Sequence, residues 1–389
     1  MRHAAALRAR SGVVLIALAL LGVTAGCGGP ATTPRPTPAS TPETGTGVAA
    51  GIAIAVGAGH TASGTTPTPT AAATPSATAK PAATAQPTAT AKPGSTVTAT
   101  AAPTVTPTVR PAAGPAHILV IMDESQSYAG TLGSCGGGSP DPYWCSLASQ
   151  YASMTDWSGV EEPYSLPNYL AITGGSTQGC TDDLCLTPDT VTSEDLGGQL
   201  TAAGIPWTAY MESMPTACDT DHSDGADPTE YAGWHDPWVY YQDDMPPNSC
   251  NVLPYPGVSS MVTTLDSPGA PDFVWITPNL CDDGHDSCTT GEVPQLDAWL
   301  SSTLPAVLSS SWFAANGTVI VTMDNGPLAT GVGGTIPLTV ISATARGQGD
   351  VATAGDHFGT LRSIEEAYGL PLLGAAADPA NGDLSALFG

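Results

Sequence analysis

The chain has 389 residues and a formal net charge of −26, from nine basic and 35 acidic side chains. All the acidic residues except Glu43 lie beyond residue 115, where Arg346 and Arg362 are the only basic side chains. Such a charge balance repels nucleic acid and anionic membrane faces, so neither is expected as a partner.

The N-terminus carries Arg2, Arg8 and Arg10, then the apolar run Val13 to Val23, then Thr24-Ala25-Gly26-Cys27. A charged region, an apolar region and small residues in that order read as a secretory signal. The segment resembles a bacterial lipoprotein signal over residues 1–26, with Cys27 as the lipidated first residue of the mature chain. An ordinary cleaved signal is the alternative, and it also leads to export. The apolar run is short for a permanent membrane span. The expected location is therefore the bacterial cell surface, or secretion, with membrane contact only through a lipid on Cys27.

Residues 27–115 are dominated by Thr, Pro and Ala, and Ala-Thr-Ala-Lys-Pro recurs at 77–81 and 89–93. So few large apolar side chains cannot offset chain entropy, and an extended linker is expected. Residues 116–389 then form one domain of ordinary enzyme size. Its eight cysteines fall as near pairs, Cys135/Cys145, Cys180/Cys185, Cys218/Cys250 and Cys281/Cys288. In an exported chain, disulfides are the default reading, with a structural zinc site as the alternative, though no CxxC spacing is present and the spacing does not by itself fix the pairing.

Four apolar runs read as buried parallel strands: Ile118 to Met122, Phe273 to Ile276, Thr318 to Met323 and Pro337 to Ile341. Helical stretches are expected over Ser193 to Ala203, Val293 to Leu308 and Phe358 to Tyr368. Alternating strands and helices imply an α/β sheet covered on both faces.

Between these elements lies Ser165-Leu-Pro-Asn-Tyr169, which reads as a loop turning into a helix, because proline suits a first helical turn. A serine there is either a helix cap or a nucleophile beside amides that suit a phosphate. The residues just beyond the strands favour chemistry. Asp123, Glu124 and Ser125 come after the first, Asp282, Asp283, His285 and Asp286 lie beyond the second, and Asp324 and Asn325 come after the third. In open α/β sheets the binding crevice lies outside the carboxyl ends of the strands. Carboxylates and imidazole gathered there suit a divalent ion such as Zn, Mn, Mg or Ca. His357, ahead of the last long helix, is a further imidazole.

The order of these motifs resembles the bacterial phosphoesterase family of secreted acid phosphatases and phospholipases C, within the alkaline phosphatase superfamily. The matching segments are His117 to Tyr128, Ser165 to Ala171, Tyr210 to Pro215, His235 to Tyr240, Thr277 to Cys281 with His285-Asp286, and His357 to Leu370. The resemblance implies a three-layer αβα sandwich, alkaline phosphatase-like, and hydrolysis of a small phosphorylated substrate through a covalent phosphoserine on Ser165. It implies that Asn168 and His235 contact the substrate. It also implies that Glu124, Ser125, Asp283, His285, Asp286, Asp324, Asn325 and His357 make up the metal positions, with His285 also catalytic. Ser125 stands where the family usually has Asn, and Asn325 where it usually has Glu or Asp, which predicts a weaker metal site. A sulfatase would need Arg where Tyr169 stands. A phospholipase C-type diesterase and a non-catalytic surface binding module are the alternatives.

Overall fold

Strand β1 (His117–Asp123), buried from Ile118 onward, lies in the middle of a nine-stranded sheet. The computed structural model describes residues 114–389 apart from 162, 221–226, 228, 230, 249 and 327–333. The expected signal, Cys27 and the linker up to residue 113 lie outside the described residues.

Strands β5 (Phe273–Thr277) and β6 (Gly317–Met323) flank β1, and both run parallel to it. The other strands are β2 (Ala152–Ser158), β3 (Trp207–Met211), β4 (Val252–Pro254), β7 (Thr335–Ser342), β8 (Gly349–Val351) and β9 (Gly355–Asp356). Their spatial order is β4-β3-β5-β1-β6-β7-β2-β8, with β9 also on β2. The central strands are rich in Val and Ile and buried on both faces, as covered parallel strands are.

One expectation needs correction. The run Pro337 to Ile341 lies in β7, which is antiparallel to both β6 and β2. The connection from Met323 to Thr335 is too short for a crossover, which takes a dozen or more residues. Strands β2 and β3 are not legible in the sequence, because Ala-Ser-Met-Thr-Asp-Trp-Ser and Trp-Thr-Ala-Tyr-Met lack a continuous apolar run.

The helices are α1 (Pro142–Gln150), α2 (Ser165–Gly174), α3 (Leu196–Ala203), α4 (Val258–Leu265), α5 (Glu292–Leu308), α6 (Ser311–Ala314) and α7 (His357–Tyr368). They pack in two sets. Helix α2 meets α3 and α7, while α5 meets α1, α4 and α6. These sets are the outer layers of a three-layer αβα sandwich. Every residue of α2 is buried, so this helix is held by packing rather than by an amphipathic face. It ends at Gly175, whose φ of 66° is left-handed and where an added Cβ would run into the Leu373 carbonyl.

All four near pairs of cysteines are disulfides: Cys135–Cys145, Cys180–Cys185, Cys218–Cys250 and Cys281–Cys288.

The frame rests on the packing of β1 with β6. Ile320 is fully buried and pairs with Val120 on one side and Val340 on the other. Ile320→Ala is expected to cost roughly 2–5 kcal/mol and to lower the thermal midpoint by several degrees. An unchanged midpoint in thermal unfolding would contradict that central role.

Candidate active site

Strands β1 and β6 pair in register to their ends, with Asp123 opposite Met323. The next residues, Glu124 and Asp324, therefore leave the sheet side by side. The Asp324 N–H donates to the Asp123 carbonyl at 3.1 Å, and the Ser125 N–H donates to Asp324 Oδ1 at 2.9 Å. Ser125 adopts φ of 58°, which turns the chain sharply after Glu124. Asn325 Nδ2 donates to Asp324 Oδ2 at 2.8 Å. Ser125 and Asn325 thus hold the Asp324 carboxylate between them.

Beyond β5, Asn279 shapes the next segment. Its Oδ1 accepts from the N–H groups of Cys281 and Asp282, and its own N–H donates to Glu212 Oε2 at 3.1 Å. The Asp283 carbonyl accepts from the Glu124 N–H at 2.8 Å, tying this loop to the end of β1. Asp283 Oδ1 accepts from the His285 N–H at 2.8 Å, and His285 Nδ1 lies 2.9 Å from Asp286 Oδ1. Asp283 is buried, whereas His285 and Asp286 remain open to solvent at the rim. The Cys281–Cys288 disulfide closes the whole segment.

Ser165 is the first residue of α2, and Tyr164 takes the cap position. The serine hydroxyl does not cap the helix. It donates to Glu124 Oε2 at 2.9 Å, in a buried setting. His235, in the short turn Gly233–His235, lies between two of the carboxylates. Its Nε2 is 3.4 Å from Glu124 Oε1, and its Nδ1 is 3.5 Å from Asp283 Oδ2. The ring stacks on Tyr169, with centroids 5.3 Å apart.

Two expected residues act differently from the sequence reading. The Asn168 amide is fully used on its own loop. Oδ1 accepts from the N–H groups of Val160 and Glu161, and Nδ2 donates to the carbonyls of Glu161 and Tyr164. That exhausts an amide side chain, so Asn168 shapes the approach to Ser165 and has no group left for a phosphoryl oxygen. His357, at the start of α7 behind the Asp356 cap, donates from Nε2 to the Asp324 carbonyl. It braces the backbone beneath the carboxylate.

The electrostatics are dominated by burial. Desolvation pushes Glu124 and Asp283 well above the usual carboxylate range, and the neighbouring Asp324 charge adds to both. Asp324 and Asp123 are also raised, mainly by burial. Burial lowers His235 to about 3 and His357 to about 4, so both are neutral. Burial also opposes charging of His285, but Asp286 and the carboxylates of Asp283 and Asp324 outweigh it and raise its pKa.

Several of these buried atoms have no hydrogen-bond partner: Glu124 Oε1, Asp283 Oδ2, both Asp123 oxygens and both His235 nitrogens. Orphaned oxygens and a neutral imidazole side by side are a donor set that a divalent cation satisfies. Among the described residues no three His, Cys, Asp or Glu side chains are already arranged to hold a metal ion. The cluster therefore supplies donors rather than a finished shell.

Sequence reasoning misses three members of this neighbourhood. Asp123 stands in the sequence among the strand-end carboxylates but is given no role of its own. Tyr169, one turn along α2 from the serine, supports His235. Asp183 Oδ1 accepts from the Leu166 N–H at 2.9 Å, beside the serine. Aspartates are too abundant in this chain for Asp183 to stand out.

The model of the Phosphoesterase family matches residues 137–371. A phosphatidylinositol-3-phosphatase of Mycobacterium tuberculosis is 30% identical over 266 residues, covering 68% of this chain and 80% of that protein. A probable acid phosphatase of Kluyveromyces lactis is 27% identical, covering 60% of this chain and 55% of that protein. An acid phosphatase of Aspergillus fumigatus is 28% identical, covering 59% and 51%. The chain thus spans about half the length of these two fungal relatives. In fold, it resembles a solved structure of a protein in the alkaline phosphatase superfamily from Vibrio parahaemolyticus. The TM-score is 0.50 at 13% identity, with 69% of each chain covered.

The raised carboxyl groups set a direction for stability. Burial raises Asp195 to about 6, Asp236 and Glu212 to about 7, and Glu365 to about 8. The folded state therefore binds protons that the unfolded chain, with carboxyl pKa values near 4, has released. Their contribution is fully present below about pH 4 and is lost as pH rises through 6 to 8. The thermal midpoint should fall from pH 5 to pH 8, with a flatter slope in Glu365→Gln. A midpoint that rises over that range would refute this.

Proposed function

This chain belongs to the Phosphoesterase family and is a phosphatase-type hydrolase, and from that premise we propose that it hydrolyses phosphomonoesters through a covalent phosphoserine on Ser165. The observation that carries this reading is the Ser165 hydroxyl donating to Glu124 Oε2 within a buried, under-neutralised carboxylate cluster. A nucleophile within hydrogen-bond reach of a base is the arrangement that covalent catalysis needs.

In the first step Ser165 Oγ attacks phosphorus, and its proton passes along the existing hydrogen bond to Glu124 Oε2. The bond from phosphorus to the ester oxygen breaks, and His285 gives that oxygen a proton. In the second step His285 takes a proton from water, whose oxygen attacks the phosphoserine and releases inorganic phosphate. Ser165 Oγ then recovers its proton from Glu124. The raised pKa of His285 favours its protonated form, as its role in the first step requires.

A divalent cation is part of the proposal. Glu124, Asp283, Asp324 and His235 would hold it, and the orphaned atoms of Glu124, Asp283 and His235 support that assignment. When bound, such an ion screens phosphoryl charge and lowers the pKa of an attacking hydroxyl. The proposed setting is outside the cytoplasm. Four disulfides support it, since such bonds persist in oxidising compartments.

Hydrolysis of p-nitrophenyl phosphate tests the chemistry. Ser165→Ala should lose about a thousandfold or more in kcat, and rapid acid quench of the wild type should leave phosphate on Ser165. Equal turnover by the mutant would end the serine mechanism. Chelation should abolish turnover, and added divalent ion should restore it; indifference to chelator would remove the cation from the proposal.

A further inference from the structure

Two large apolar side chains are exposed among the described residues: Tyr164, 39% exposed, and Leu184, 82% exposed. Both flank the serine. Tyr164 directly precedes it in the chain. Leu184 follows Asp183, whose Oδ1 accepts from the Leu166 N–H, one residue beyond the serine. The loop that brings Asp183 and Leu184 there is closed by the Cys180–Cys185 disulfide and tightened by Asp182 Oδ1, which accepts from the Leu184 N–H at 2.9 Å. The segments next to Ser165 thus carry two exposed apolar side chains and one carboxylate.

Charge elsewhere in the domain sharpens this. From residue 116 onward the chain has two basic side chains besides histidine, Arg346 and Arg362. Arg362 pairs with Glu366 at 2.8 Å, and Arg346 lies over the Tyr151 ring at 5.0 Å. Each is thus engaged by a residue other than Tyr164, Asp183 or Leu184. A cation held by the buried cluster would neutralise only the phosphoryl group that reaches Ser165.

We propose that Tyr164, Asp183 and Leu184 select the leaving group, accepting an uncharged aryl or alkyl group and rejecting one that carries a further negative charge. This rests on the phosphomonoesterase reading of Ser165. The apolar part of the leaving group covers Tyr164 and Leu184, which removes their surface from water. A carboxylate or second phosphate on the leaving group meets Asp183 at close range, and the domain's two arginines are engaged with other residues. Asp183 also caps the α2 amide, so a purely structural role must be separable from a selective one.

Steady-state kinetics of the full chain with phenyl phosphate and 4-carboxyphenyl phosphate separates them, because these substrates differ by one charge. The wild type should prefer phenyl phosphate by about tenfold or more in kcat/KM, equivalent to about 1.4 kcal/mol. Asp183→Asn should narrow that preference several-fold by improving the carboxylated substrate. Leu184→Ser, at an exposed position, should raise KM for phenyl phosphate several-fold more than it changes kcat. A wild-type preference near unity overturns the proposal and leaves the phosphatase reading intact. So does a preference unmoved by Asp183→Asn together with an unmoved KM in Leu184→Ser, which would make Asp183 a helix cap only. Failure of the wild type to hydrolyse either substrate overturns the phosphatase reading and this one with it.

Discussion

Glu124, Asp283 and Asp324 share one buried volume in a domain with almost no basic side chains, and burying like charges together is costly unless a proton or a cation relieves them. His235 lies between two of these carboxylates, but burial keeps it neutral, so it supplies a donor rather than a charge. The cluster is thus held in a state that favours binding something positive. The proposed chemistry of Ser165 depends on that imbalance, because the serine proton is held by one of the same carboxylates.

The sheet fixes this costly arrangement by backbone rather than by side chain. Parallel pairing of β1 with β6 sets Glu124 and Asp324 at one height, and the Glu124 N–H to Asp283 carbonyl bond brings in the loop after β5. His357 then braces Asp324 from α7, and Glu212 braces the turn at Asn279. Groups that repel one another stay together because rigid elements and main-chain hydrogen bonds hold them, which is how strained sites persist on stable scaffolds. The disulfide-closed loops do the same at the rim, where Asp183 and His285 are presented.

Much of this is legible in the sequence. The apolar runs around Val120, Val274 and Val321 mark the central strands, since buried parallel strands need little besides Val, Ile and aromatic side chains. Polar residues directly after those runs mark the site, because strand ends and their loops carry ligands in this architecture. The near spacing of the cysteines anticipates all four disulfides. The weaker strands β2 and β3 escape notice, because their polar positions hide the period. The direction of β7 depends on how the chain returns after Asn325, which periodicity does not encode.

What the sequence by itself determined was the class of fold, the paired cysteines and the list of groups with chemistry to offer. Residue type and local period carry that information. Only the tertiary structure decided which groups meet. It joined Ser165 to Glu124 across 41 positions, used up the Asn168 amide on its own loop, and set His357 Nε2 against the Asp324 carbonyl. It also brought Asp183 to the flank of Ser165, one acidic residue among many until a backbone N–H claimed it. Hydrogen-bond partners and burial are properties of distance in space, and a chain read in order contains distance only along itself.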